Sequence, residues 1–271
     1  MGIEKKDRPN GVFDSGVGGL TVLKEILREL PHENTIYLGD TARVPYGIRS
    51  PETVIRYSFE NTQFLSSKDI KLLVVACNTA SSVSLDAIKE QISIPVIGVI
   101  DPGAKAAVKA TKNKKIGVIG TEATIRSNSY TKAIKWIDAG IEVFGFPCPL
   151  FVPLVEEGWI EGEIASLIAR KYLDSLKDKG IDTIVLGCTH YPLLKRVIAD
   201  VMGEDVRLID SAVETSQEIK NILEIHSLNN EQKKAPVREF FVTDSTERFL
   251  KVGEHFLGQK IEHLEQITVG S

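Results

Sequence analysis

Three cysteines in 271 residues are too few, and odd in number, for a disulfide scaffold, so the chain is expected to work in a reducing compartment. No apolar run approaches the roughly 20 residues needed to cross a bilayer. The polar opening MGIEKKDRPN has no apolar h-region, so neither a membrane span nor a secretory signal is expected and the chain reads as cytoplasmic. Positive charge is not in excess: 33 Lys and Arg against 37 Asp and Glu give a formal net charge of −4, which offers nucleic acid and anionic membranes no electrostatic attraction. The one short basic cluster, Lys112, Lys114 and Lys115, reads as a solvated loop before a strand. Also missing are the Cys-x-x-Cys spacing of zinc and dithiol redox sites, a complete G-x-G-x-x-G and a P-loop.

What is present is a regular alternation. Eight short runs rich in Val and Ile end in small or polar residues: GVFDS (11–15), TIYLGD (35–40), KLLVVACNT (71–79), IPVIGVI (94–100), KIGVIGT (115–121), IEVFGF (141–146), TIVLGCT (183–189) and VRLIDS (206–211). They are too short for helices and read as buried parallel strands. Stretches such as TVLKEILREL (21–30) and GEIASLIARKYLDSLKDKG (162–180), apolar at helical spacing, lie between them. The class is α/β. Gly11 to Gly117 and Thr35 to Ile141 are both 106 residues apart, and Leu72 to Thr183 and Pro95 to Val206 are both 111. Four strands followed by four in register predict two pseudo-symmetric three-layer α/β domains with mainly parallel sheets and an active site in the cleft between them. After a helix over AVETSQEIKNILEIH and a polar loop at 227–236, the tail resumes with a strand (238–245) and a helix (246–257) and is expected to return to the first unit. The domains are then 1–100 plus 210–271, and 101–209.

Cys77 and Cys188 occupy the same place in the two units, immediately after an apolar strand, where open α/β sheets bind ligands. Cysteine often fills a strand end, but two thiols at duplicated positions with polar neighbours, Asn78-Thr79 and Thr189-His190, suit a chemistry that needs two equivalent groups. Inversion at an α-carbon is one: a base takes a proton from one face while an acid delivers one to the other, and a thiol can serve as either. Cys148, between prolines and without a counterpart, reads as filler. Asp14 and Ser15 open the run Asp14-Ser15-Gly16-Val17-Gly18-Gly19 at a helix start, fit for a carboxylate, with Asp14 as a plain helix cap the alternative. Pro45-Tyr46-Gly47 forms a strand-end turn that is either structural or reaches into the same crevice. His190 is placed to polarise Cys188. Glu156 and Glu157 read, on chemistry alone, as a solvated pair.

Five segments in order, FDSGVGGLTVL (13–23), YLGDTARVPYG (37–47), ACNTAS (76–81), CPLFVPLVEEGW (148–159) and LGCTHYPLL (186–194), closely resemble the glutamate racemase family over nearly the whole chain. The resemblance implies interconversion of L- and D-glutamate with no PLP, metal or other cofactor, supplying D-glutamate for peptidoglycan. It implies Cys77 as the base toward D-glutamate, with Asp14 beside it. Cys188 is implied as the base toward L-glutamate, with His190 and Glu156 beside it. Implied substrate-binding positions are Asp14, Ser15, Pro45, Tyr46, Gly47, Asn78, Thr79, Thr121, Thr189 and His190. It also implies a homodimer, with glutamate as the small-molecule partner and no nucleic acid or membrane; an interaction with DNA gyrase, associated with some members, stays open. About ten residues precede the first strand, so the precursor-dependent activation of members with longer N-termini is not expected. The rival readings are an aspartate racemase, a non-catalytic binding module on the same fold and a two-lobed solute-binding protein.

Overall fold

Parallel strands buried on both faces must be covered by helices on each side, and the chain supplies these in strict alternation. A computed structural model describes residues 4–232 and 234–270. The start of the polar decapeptide (1–3), one position of the polar loop (233) and residue 271 lie outside the described residues. The first run of elements is β1 (Asn10–Asp14), α1 (Leu20–Glu29), β2 (Thr35–Gly39), α2 (Pro51–Ser67), β3 (Leu72–Val75), α3 (Asn78–Gln91) and β4 (Val96–Gly98). The second is α4 (Ile100–Ala110), β5 (Lys115–Gly120), α5 (Glu122–Arg126), α6 (Ser129–Ile137), β6 (Glu142–Pro147), α7 (Phe151–Glu156), α8 (Glu163–Lys177), β7 (Thr183–Gly187), α9 (Lys195–Met202) and β8 (Arg207–Asp210). The tail adds α10 (Ser211–Ile225), β9 (Arg238–Val242), α11 (Thr246–Leu257) and β10 (Leu264–Gln266).

Every described strand pair is parallel. One sheet runs β10-β9-β2-β1-β3-β4 and the other β6-β5-β7-β8. Stripped of the tail, both have the same order, with the chain reversing direction across the sheet between the first and third strands of each unit. That reversal opens a crevice at the carboxyl ends, where such sheets take their ligands. β1, β2, β3 and β7 are buried at every position, as their unbroken apolar runs require. β6 is half-buried or exposed at every position because it is an edge, and an edge tolerates Pro147.

The duplication is less regular than the sequence spacing. Ile36 and Phe144 stand opposite Gly11 and Gly117, so β6 lies two residues further along than a 106-residue repeat puts it. Leu73 and Ile184 keep the 111-residue spacing, but their partners Val96 and Leu208 are one residue beyond it. The inner strands obey the spacing; both outer strands slip, because the intervening helices differ in length and a parallel strand is placed by its crossover rather than by a turn. The short β10, Leu264–Gln266, carried no recognisable pattern in the sequence: its three residues are half-buried or exposed.

The tail strand β9 pairs with β2 from Thr35↔Arg238 to Gly39↔Val242. At the amino ends of the strands, Lys71 is fully buried and reaches Glu33 at 2.5 Å, while Glu33 also accepts the Asn230 backbone N–H at 2.7 Å. A buried pair persists only when its remaining hydrogen bonds are filled, and Lys71 fills them with the carbonyls of Lys6 (2.5 Å) and Leu228 (2.7 Å). This ties the loop after α10 to the sheet edge opposite the crevice. α10 itself packs against both α1 and α4, and one apolar core runs from Val12 and Leu20 through Leu223 to Ile184 and Leu186.

Candidate active site

Four inner strands end on the crevice, and each delivers one group: Asp14 from β1, Cys77 after β3, Thr121 after β5 and Cys188 after β7. At the first thiol, β3 runs directly into α3, so Cys77 is itself the helix cap: its Sγ accepts the Ala80 backbone N–H at 3.5 Å. Ser15 Oγ lies 3.7 Å from the same sulfur. Asp14, fully buried, accepts the Gly16 backbone N–H at 2.9 Å, and its second oxygen has no partner among the described residues. Burial pushes the Cys77 thiol up to about 12, and the Asp14 carboxylate adds to the rise against the Ala80 N–H and Ser15. This end of the site holds a neutral thiol. Asp14 is raised by its own burial, opposed by the charge on His190 and by backbone N–H groups.

The second thiol has a cationic partner. Cys188 Sγ lies 3.9 Å from His190 Nδ1, and His190 Nε2 lies 3.1 Å from Glu156 Oε1 at the end of α7. The ring packs edge-on against Phe256 of α11. Burial alone would lower the imidazole; the hydrogen bonds and charges of Cys188 and Glu156 outweigh it and hold His190 up at about 10. The same bond from His190 draws Glu156 below the ordinary glutamate value. At neutral pH the second thiol therefore sits beside an imidazolium.

The two ends are joined by close contacts across the cleft. A Cβ on Gly18 would lie 2.2 Å from Thr189 Oγ1 and 2.6 Å from the His190 ring, so only glycine lets the start of α1 seat against the Cys188 loop. A Cβ on Gly47 would lie 2.7 Å from Thr121 Cβ. The turn carrying Gly47 is held by Arg43, which grips Asp40 at 2.7 and 2.9 Å, and by the Tyr46 hydroxyl donating to the same carboxylate. Thr79, Thr121 and Thr124 put three hydroxyls within 3.0–3.2 Å of one another, bridging α3 to the loop and helix after β5. Between these walls is a cavity of about 130 Å³ lined by Ser15, Tyr46, Cys77, Asn78, Thr121 and Cys188 among others. It is smaller than the roughly 300–1,000 Å³ of drug-sized pockets and fits a small metabolite.

Two thiols from equivalent strand ends of a duplicated sheet, facing one small cavity, narrow the choice of relatives. A model of the Asp/Glu/hydantoin racemase family matches residues 14–219. The chain belongs to that family. It is 56% identical over 259 residues, 96% of each chain, to a glutamate racemase of Geobacter metallireducens. Its fold superposes on a glutamate racemase isoform of Bacillus anthracis with a TM-score of 0.94 at 45% identity, covering 97% of this chain and 98% of that one. The glutamate racemase of Francisella tularensis, solved in complex with D-glutamate, gives 0.92 at 41% identity over 97% and 98%. By reaction class the protein is an isomerase.

On this racemase, Ser15, Pro45, Tyr46, Gly47, Asn78, Thr79, Thr121, Cys188, Thr189 and His190 line the cavity with Cys77. Two of the expected residues do not. Asp14 lies behind Ser15, wholly buried; it closes the Gly16 turn and does not cap α1, whose N-cap Gly19 offers no side chain. The helix start read as an anion site is occupied instead by the Thr189–His190 loop. Glu156 is not part of a solvated pair: it sits on the far side of His190, facing a second small cavity with Arg248. The Tyr46 hydroxyl is already engaged: it donates to Asp40 and accepts from Asn61 Nδ2 at 3.1 Å. Cys148 is fully buried in the core beside Phe146. Thr124, Tyr130 and Gly18 escaped the sequence reading. Only Gly18 left a trace there, in the glycine run; the other two act across the cleft. Among the described residues no group of three or more His, Cys, Asp or Glu is arranged to hold a metal ion, and no helix is long and apolar enough to cross a membrane.

Proposed function

We propose that this racemase interconverts L- and D-glutamate by moving protons between two thiols, without a cofactor, and supplies D-glutamate for peptidoglycan in the cytoplasm of a bacterium. The observation that carries this reading is that Cys77 and Cys188 line one small cavity from equivalent strand ends with unequal partners. L-Glutamate binds with its carboxylates on the N–H groups at the start of α3 and on the Asn78, Thr79, Thr121 and Thr189 side chains. Cys188, as thiolate beside the His190 imidazolium, takes the α-proton. The C–H electron pair moves into the adjacent carboxylate as an enediolate, which a water-poor site lined with oriented donors stabilises. Cys77 gives its thiol proton to the opposite face and becomes the thiolate. D-Glutamate leaves, and the reverse reaction starts from Cys77.

The test is incubation of the purified protein with L-glutamate in D₂O, with no PLP or metal added, following circular dichroism and α-deuterium together. The expected result is loss of optical activity with deuterium at the α-carbon, the loss of optical activity being abolished in Cys77→Ala and in Cys188→Ala. Folded, reduced protein that neither exchanges nor racemises either enantiomer overturns the reading. Turnover of aspartate in preference to glutamate keeps the two-thiol chemistry and replaces the substrate.

A further inference from the structure

One buried donor on the cavity wall has no partner within the described protein. Asn78 is 3% exposed and lines the cavity, yet its Nδ2 makes no hydrogen bond. A buried N–H left without an acceptor is costly, so such a group is the expected contact for an acceptor on a ligand. Which end of the amide meets the ligand depends on what holds the other end. The Tyr130 hydroxyl, from α6 across the cleft, donates to Asn78 Oδ1 at 2.7 Å. Burial holds the Tyr130 phenol well above its ordinary value, with the charges of Asp210 and Cys188 adding to the rise, so it stays protonated and remains a donor across the working pH range. Its ring has little room to move: a Cβ on Gly187 would lie 3.1 Å from one edge and a Cβ on Gly103 3.3 Å from the other.

We propose that Tyr130 is a positioning residue, which pins Oδ1 of Asn78 and thereby turns Nδ2 toward a carboxylate oxygen of the substrate. The inference rests on the glutamate reading above, since it takes Asn78 as a substrate contact. It assigns to the second unit control over a binding group that belongs to the first. Thr189, the residue in the equivalent place after Cys188, has a hydroxyl instead of an amide, whose single oxygen both donates and accepts and so has no donor end to be distinguished from an acceptor end. The cleft is thus asymmetric in its binding groups as well as in its thiols. An amide free to rotate must be ordered when the carboxylate binds, because its carbonyl oxygen repels the carboxylate where its N–H attracts it; Tyr130 sets that order beforehand.

The experiment is a double-mutant cycle on the intact protein with glutamate as the probe. KM and kcat are measured in both directions for the wild type, Tyr130→Phe, Asn78→Ala and the pair together. Tyr130→Phe is expected to raise KM about tenfold, the loss of one buried hydrogen bond, with kcat changed less than about threefold. Asn78→Ala is expected to raise KM at least as far, and the double variant no further than Asn78→Ala alone. If Tyr130→Phe costs its full factor again in the Asn78→Ala background, or lowers kcat with KM untouched, the proposal is overturned. Asn78→Asp keeps the shape and removes the donor without touching the Tyr130 packing. It is expected to raise KM beyond Asn78→Ala, and a smaller rise overturns the assigned orientation. Wild-type protein with no turnover of glutamate overturns the substrate reading first; wild-type turnover with independent effects of the two substitutions overturns this inference alone.

Discussion

The two halves of the site are built on one plan and end in different electrostatics. Each thiol comes just after the third strand of its unit, each strand is fully buried, and both sulfurs face the same cavity. Around Cys77 the fold places a wholly buried carboxyl, a serine and a helix start, and the thiol is driven up to about 12. Around Cys188 it places an imidazole backed by Glu156, and the imidazole is held at about 10. Duplication fixes position; the few residues beyond each strand fix charge. The proposed reaction begins with one base and one acid, and this inequality favours one assignment of the two roles over the other at the start of each direction.

The largest effect expected is from removing either thiol. Cys77→Ala and Cys188→Ala should each reduce racemisation about 10³-fold or more, the scale of a lost acid or base in the rate-determining transfer. The sharper outcome is directional. Cys77→Ala, which retains Cys188, should still exchange the α-proton of L-glutamate into D₂O without forming D-glutamate, and Cys188→Ala should do the same only with D-glutamate. The first exchange should be the faster, because Cys188 keeps its imidazolium while Cys77 faces Asp14. Proton NMR of each enantiomer in D₂O reads this directly, and equal exchange of both enantiomers by either variant would break the contrast drawn between the half-sites.

Next in size is Gly18→Ala. The added methyl falls 2.2 Å from Thr189 Oγ1 and 2.6 Å from the His190 ring, so the loop must move and carry His190 off its line between Cys188 and Glu156. A misplacement of about 1 Å costs on the order of 10² in rate. The deficit should appear as lower kcat from L-glutamate in a protein whose far-ultraviolet dichroism is unchanged. An unaltered rate would mean that the imidazole is not held from the α1 side.

A smaller effect separates the half-sites by titration. In Glu156→Gln the His190 midpoint should fall from about 10 toward the ordinary imidazole value, followed by ¹⁵N NMR of the ring. Because His190 in the folded protein is raised above its unfolded value near 6.5, its stabilisation is complete below that pH and is lost as pH climbs through about 10. The wild type should therefore lose more thermal stability between pH 7 and 10 than His190→Gln does. A midpoint that does not move in Glu156→Gln would leave Cys188 as the sole cause of the raised imidazole.

Much of the fold and of the site was legible in the chain because buried parallel strands are unbroken apolar runs, and the residues just beyond their carboxyl ends must sit at the crevice. That logic reached Cys77, Cys188, Asn78, Thr79 and Thr189 from the residues themselves. It did not reach how each side chain is engaged, least of all where the partner is distant in sequence. Tyr46 lines the cavity as expected, but that its hydroxyl is engaged by Asp40 is not marked in the sequence. Asp14 reads as a cap or an anion-site residue and is instead enclosed behind Ser15. Tyr130 lies 52 residues from the amide it holds, and nothing local marks it. Glu156 rose above a solvated pair only through resemblance, since its partner, His190, is 34 residues away. The slipped registers of β6 and β8 come from crossover lengths, which periodicity does not encode.

The smallest expected effect concerns the third thiol, and it isolates what makes the other two chemical. Cys148 is as buried as Cys77, and burial likewise drives its thiol up, so burial by itself confers no role. It comes after the edge strand β6 rather than an inner strand, does not line the cavity, and its sulfur's hydrogen-bond contact is the Phe146 carbonyl at 3.8 Å. The Tyr191 hydroxyl donates at 2.8 Å to the Cys148 backbone carbonyl, a bond that any side chain at this position would preserve. Cys148→Ala should therefore leave kcat and KM in both directions within about twofold while lowering stability by about 1–2 kcal/mol, the cost of one lost buried sulfur and the small void it leaves. Denaturant unfolding beside the rate assay separates the two quantities. A rate loss in Cys148→Ala as large as in Cys77→Ala would mean that strand-end placement at the crevice is not what selects a working thiol.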